Sequence, residues 1–94
     1  MNIAETFEKY EDEHGEFERI QNPRSGRPDL CAFMILDNLI AGTSKIISDA
    51  EHDEIFLDTS IEALSFVATE AHIIALVRCG VRYSEDLDCL CMFV

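Results

Sequence analysis

Residues 81–94 read VRYSEDLDCLCMFV, and this stretch decides the fold. Val81-Arg82-Tyr83 forms one short strand, Ser84 to Asp88 supply a polar turn, and Cys89 to Val94 return as a second strand. Alternation places Cys89, Cys91 and Phe93 on one face and Leu90, Met92 and Val94 on the other. Both faces are apolar, so this strand is expected inside a sheet or covered on both sides, with the end of the chain in the core.

Working backwards, Gly80 stops a helix whose apolar stripe is Ile73, Ile74, Leu76 and Val77. Thr69 is its expected N-cap, Glu70 suits the positive end of the dipole, and Arg78 sits in the last turn. Before it, Thr59-Ser60-Ile61-Glu62 fits a capping box, with Thr59 as N-cap and Glu62 reaching back. That helix is expected to carry Leu64 and Val67 inward. Ile55-Phe56-Leu57 reads as a short strand closed by Asp58, whereas Ile46 and Ile47 fit either a strand or a helical turn.

Upstream, Pro28 suits the first turn of a helix, where its missing N–H costs nothing. From Leu30 to Ile40 only Asp37 and Asn38 are polar, so this helix is expected to be central and buried, ending at Gly42. Ile3, Phe7, Tyr10, His14 and Phe17 recur at helical spacing, which predicts a helix over residues 3–13. Its apolar face would pack on its own core or across a homodimer. Gly15 weakens any continuation by about 1 kcal/mol. Asn22-Pro23 and Ser25-Gly26 then mark a loop. The architecture expected over residues 1–94 is a single α+β domain. A small antiparallel or mixed sheet of three to four short strands, including the C-terminal hairpin, packs with three to four helices.

Nineteen acids against seven bases leave a formal charge of −12, on a chain of 94 residues that is 48% apolar. A compact chain of this mass exposes roughly 5,500 Å², so the excess is about one negative charge per 450 Å². That density discourages direct contact with nucleic acid or anionic lipid and favours a basic protein surface, a cation or simple solubility. No basic segment followed by an apolar run opens the chain, and Leu30 to Leu36 is too short to span a bilayer. The expected setting is cytoplasmic, where Cys31, Cys79, Cys89 and Cys91 are reduced thiols.

The densest polar cluster is Asp49, Glu51, His52, Asp53 and Glu54. Carboxylates beside an imidazole suit a divalent ion or acid–base work. An extended run, however, points alternate members apart, and the EF-hand spacing is absent. What remains is a solvated or strand-capping turn, or an acidic patch that binds a partner through Asp49, Glu51, His52, Asp53, Glu54 and Asp58. The cysteine spacings of 48, 10 and 2 do not form paired zinc knuckles, so the thiols read as core. No catalytic residue, metal ligand set or cofactor motif is identified. Arg24 and Arg27 form a basic island, expected to pair with Asp29 or Asp37 or to hold a phosphate or carboxylate.

Four phrases carry a likeness. They are Arg27-Pro28-Asp29-Leu30 with Ala32-Phe33 and Leu36-Asp37, then Ala50-Glu51-His52-Asp53-Glu54-Ile55, then Arg78-Cys79-Gly80-Val81-Arg82-Tyr83, and the terminal Met92-Phe93-Val94. Over residues 17–94 the chain resembles small acidic proteins encoded by bacteriophages and prophages. The resemblance implies a bacterial host cell and brings no catalytic residue. It implies a non-enzymatic binding protein, an inhibitor of a host nucleic-acid-handling defence complex of the anti-CRISPR or DNA-mimic kind. The alternative is a self-associating structural or regulatory phage protein whose acidity serves solubility only.

Overall fold

The hairpin alternation is realised at the centre of a sheet. The computed structural model describes residues 1–41 and 45–94. The helices are α1 (Ile3–Lys9), α2 (Pro28–Leu39), α3 (Ile61–Val67) and α4 (Glu70–Arg78). The strands are β1 (Ile47–Glu51), β2 (Glu54–Leu57), β3 (Arg82–Ser84) and β4 (Cys89–Phe93). They form one antiparallel sheet in the order β1-β2-β4-β3, so β4 is interior as its two apolar faces require. The fold is α+β, with the C-terminal hairpin in place.

One side of the sheet faces the helices. Ile55 pairs with Met92 and Leu57 with Leu90, and all four are buried in the main core with Leu64, Ile73, Leu76, Val77 and Val81. The other ends of the chain's expectations fare less evenly. Phe93 is 57% exposed and Val94 76%, so the C-terminus is not core. Its backbone is nonetheless fixed, because Val94 N–H donates to the Asp53 carbonyl at 2.7 Å.

The buried helix is α4, not α2. In α4, Ile73 and Leu76 are fully buried, while α2 buries Cys31, Ala32 and Leu36 and leaves Leu30 and Met34 exposed. The reason is position: α4 is flanked by α1, α2 and the turns after α1, whereas α2 packs on α4 from one side. The proposed terminator Gly42 lies outside the described residues.

Cap chemistry explains the shorter helices. Ser60, not Thr59, is the N-cap of α3, its hydroxyl accepting from Ala63 N–H at 3.1 Å. That shift of one residue leaves Glu62 out of any capping box. Leu64 points inward as expected, but Val67 is half-exposed at the last turn and Phe66 is 81% exposed. Thr69 does cap α4, with His72 completing the reciprocal box through Nδ1 at 3.0 Å. Gly80 ends it at φ 96°, a left-handed turn that favours glycine.

The helix expected over residues 3–13 stops at Lys9 and continues as short 3-10 turns at Glu11–Glu13 and Phe17–Arg19. Gly15, at φ 77°, turns the chain so that its N–H donates to the Val77 carbonyl at 3.1 Å. Ile3 and Phe7 pack into the chain's own core, which takes up the apolar face of this helix.

Truncation tests this placement of the core. Leu90→Ala should cost about 2–5 kcal/mol, because the site is fully enclosed, and Phe66→Ala should stay within about 0.5 kcal/mol. Urea midpoints would measure both, and equal midpoints would mean that the core is misassigned.

Candidate functional site

The acidic cluster folds as the β1–β2 hairpin, and one extra residue sets its geometry. Ile47 pairs with Leu57, but Asp49 pairs with Phe56, so Ser48 is a bulge. Ser48 Oγ donates to the Phe56 carbonyl at 3.2 Å and holds it there. Without the insertion, Asp49 would oppose Ile55 and face the helices. With it, Ala50 opposes Ile55, while Asp49 and Glu51 join Glu54 and Phe56 on the side turned away from the helices. All five β1 residues are exposed.

This outer face has a small dry centre. Phe56 and Cys91 are buried there, outside the main core. Arg82, which pairs with Cys91 across β3 and β4, reaches over them. Its Nη2 donates to Glu54 Oε1 at 2.6 Å, and the guanidinium lies 4.0 Å from the centre of the Phe93 ring. Arg82 Nε is buried without an acceptor. Cys91 Sγ donates to the Arg82 carbonyl at 3.7 Å. The thiol of Cys91, followed by Arg82, holds the Glu54 carboxyl below its ordinary pKa of 4.5.

The six residues expected to bind a partner therefore separate. Asp49, Glu51 and Asp53 are exposed and belong to none of the ion pairs among the described residues. His52 is exposed at the tip, at φ 52°. Glu54 is committed to Arg82. Asp58 lies at the opposite end of β2, roughly 13 Å along the strand, beside a small cleft with Asp37, Ile40 and Ile46. Of the expected patch, the hairpin keeps Asp49, Glu51 and Asp53 outside these ion pairs, with Asp49 Oδ1 accepting from Ala50 N–H at 2.8 Å.

The basic island does not pair as expected. Neither Arg24 nor Arg27 enters an ion pair among the described residues, and Asp29 instead accepts its neighbour Leu30 N–H at 2.9 Å. Sequence reasoning also missed a groove between α1 and β3, lined by Glu5, Glu8, Glu11 and Glu85. Glu5 and Glu8 share a helix face by spacing, but nothing local joins them to Glu85.

Three of the four free cysteines, Cys31, Cys79 and Cys91, are buried. Burial, followed by the neighbouring Cys31, pushes Cys79 up to about 12, and burial, followed by Glu54, pushes Cys91 up to about 11. Both groups hold their protons at neutral pH. Among the described residues, no group of three or more His, Cys, Asp or Glu side chains could hold a metal ion. No helix among them is long and apolar enough to cross a membrane. Compared with known protein families, curated proteins and solved structures, the chain matches none.

Two measurements check this site. Because Glu54's pKa is lowered on folding, its pairing contributes stability above its ordinary value and loses it as pH falls through the lowered one. The stability gap between wild type and Glu54→Gln should therefore be open at neutral pH and narrow as pH falls below the ordinary carboxylate value of 4.5. Urea titrations across that range would read it, and a gap independent of pH would remove the ionic role. In the native protein a thiol reagent should modify half-buried Cys89 first, with Cys31, Cys79 and Cys91 reacting only as fast as the fold opens. Rapid labelling of Cys91 would contradict its burial.

Proposed function

We propose that this chain is a binding protein whose β1–β2 hairpin engages a basic protein surface, of the kind exposed by nucleic-acid-handling complexes. One observation carries the reading: the Ser48 bulge turns Asp49 and Glu51 onto the same uncovered side of the sheet, with Asp53 at the tip beside them. Spaced two residues apart on a strand, Asp49 and Glu51 lie about 6.8 Å from one another. Their repulsion in water is about 0.6 kcal/mol, small enough to be held in the free protein and relieved by a bound cation. The net charge of −12 adds long-range steering toward a positive partner. The same field opposes direct contact with DNA or RNA, so the partner is a protein. An inhibitor that occupies a host complex's basic groove fits this chemistry.

The test is capture from a bacterial lysate with three baits: wild type, Asp49→Asn/Glu51→Gln/Asp53→Asn, and a control lacking three acids elsewhere, Asp12→Asn/Asp37→Asn/Glu62→Gln. A nucleic-acid-handling protein held by wild type and control, and lost by the hairpin variant, is the expected result. For that partner the hairpin variant should associate more slowly and with a weaker salt dependence. Equal loss from both variants would reduce the effect to total charge.

A further inference from the structure

We propose that the groove between α1 and β3 docks an extended, lysine-bearing segment of the protein partner, an inference that rests on the basic-partner reading above. The groove encloses about 530 Å³, within the range of built ligand sites, roughly 300–1,000 Å³. Its base is apolar, made by Phe7, Val77 and Val81. Its acids come from separate elements: Glu5 and Glu8 from α1, Glu11 from the turn that follows, and Glu85 from just beyond β3. None of the four enters an ion pair among the described residues.

The local bases are already engaged. His14 Nε2 sits 3.2 Å from the Gly80 carbonyl, and Arg82 is held by Glu54 at 2.6 Å and stacked on Phe93. The groove thus combines an apolar base with acidic sides whose charge the fold leaves uncompensated. A lysine side chain matches both parts. Its methylene stem lies on the apolar base, and its ammonium swings to a carboxylate on either side. A second copy of this chain brings another −12 charges and is repelled, and nucleic acid is excluded by the same sign.

The probe is tetralysine with blocked ends, followed by amide shifts of the ¹⁵N-labelled protein. Shifts should centre on Phe7, Val81 and Tyr83. The variant Glu5→Gln/Glu8→Gln/Glu85→Gln, altered only at exposed positions, should bind about tenfold more weakly, since several exposed pairs are lost together. Asp29→Asn/Asp37→Asn/Glu62→Gln, exposed positions outside both the groove and the hairpin, removes the same number of charges and should change affinity by less than about twofold. Shifts centred on the hairpin, equal loss in both variants, absence of binding, or the same groove shifts with magnesium ions alone would each overturn the proposal. Tetralysine reports on the groove without the natural partner, so this outcome is independent of the capture experiment.

Discussion

The structure depends on keeping β4 dry on both sides. Its hydrogen bonds run to β2 and β3, and Leu90 and Cys91, neighbours in sequence, point to opposite faces and are both buried. On the Leu90 side the helices exclude water. On the Cys91 side no helix lies among the described residues, and the exclusion falls to Phe56, Phe93 and the Arg82–Glu54 pair. A pair about a third exposed contributes little by itself. Its value here is coverage, because the methylenes and planar head of Arg82 shield apolar surface while the charge stays near water. This is why Glu54 is bound into the fold while its neighbours on the hairpin are free.

The interior place of β4 and the type of most elements were legible because they follow from alternation and punctuation, while Ile46 and Ile47 fitted either a strand or a helical turn. Two apolar faces on residues 89–94 require an interior strand, Gly80 and Thr69 bound α4, and Pro28 opens α2. What could not be read depends on neighbours distant in sequence. Nothing within Leu30 to Ile40 says that α2 will be packed from one side only. Thr59 and Ser60 are equivalent cap residues until the strand before them fixes where the helix begins. Phe93 and Val94 read as core by composition, yet Phe93 lies on the sheet face turned away from the helices and Val94 follows the end of β4, and both are exposed.

The acidic site shows the same division more sharply. The density of carboxylates from Asp49 to Glu54 was visible, but their direction was not. A regular strand starting at Ile47 would have sent Asp49 and Glu51 toward the helices, where unpaired carboxylates are costly. The bulge at Ser48 resolves the conflict and turns Ala50 inward instead. Its signal in the sequence is only that polar residues occupy both positions 48 and 49, breaking alternation by one step. Asp58 could not be separated from the cluster without knowing that β2 carries it to the far end of the hairpin. The groove acids were invisible as a group because Glu85 and Glu5 lie 80 residues apart in the sequence.

The distribution of bases explains where the charge excess ends up. Lys9 reaches Glu70, which also accepts from Tyr10, tying α1 to α4. Arg19 and Arg78 both reach Glu13, tying the turns after α1 to the end of α4. Arg82 holds the outer sheet face. Among the described residues, Lys9, Arg19, Arg78 and Arg82 thus fasten one element to another, and Arg24 and Arg27 sit together in the loop before α2. Among the described residues, Asp49, Glu51 and Asp53 enter none of these ion pairs, nor do Glu5, Glu8, Glu11 or Glu85, whose groove His14 and Arg82 also line. Acids outside the ion pairs also lie elsewhere on the chain, at Asp12, Glu16, Glu18, Asp29, Asp37, Asp58, Glu62, Asp86 and Asp88, so the hairpin and the groove hold part of the surplus. The surplus raises self-repulsion in the free protein, which a basic partner of the kind proposed above would relieve in part.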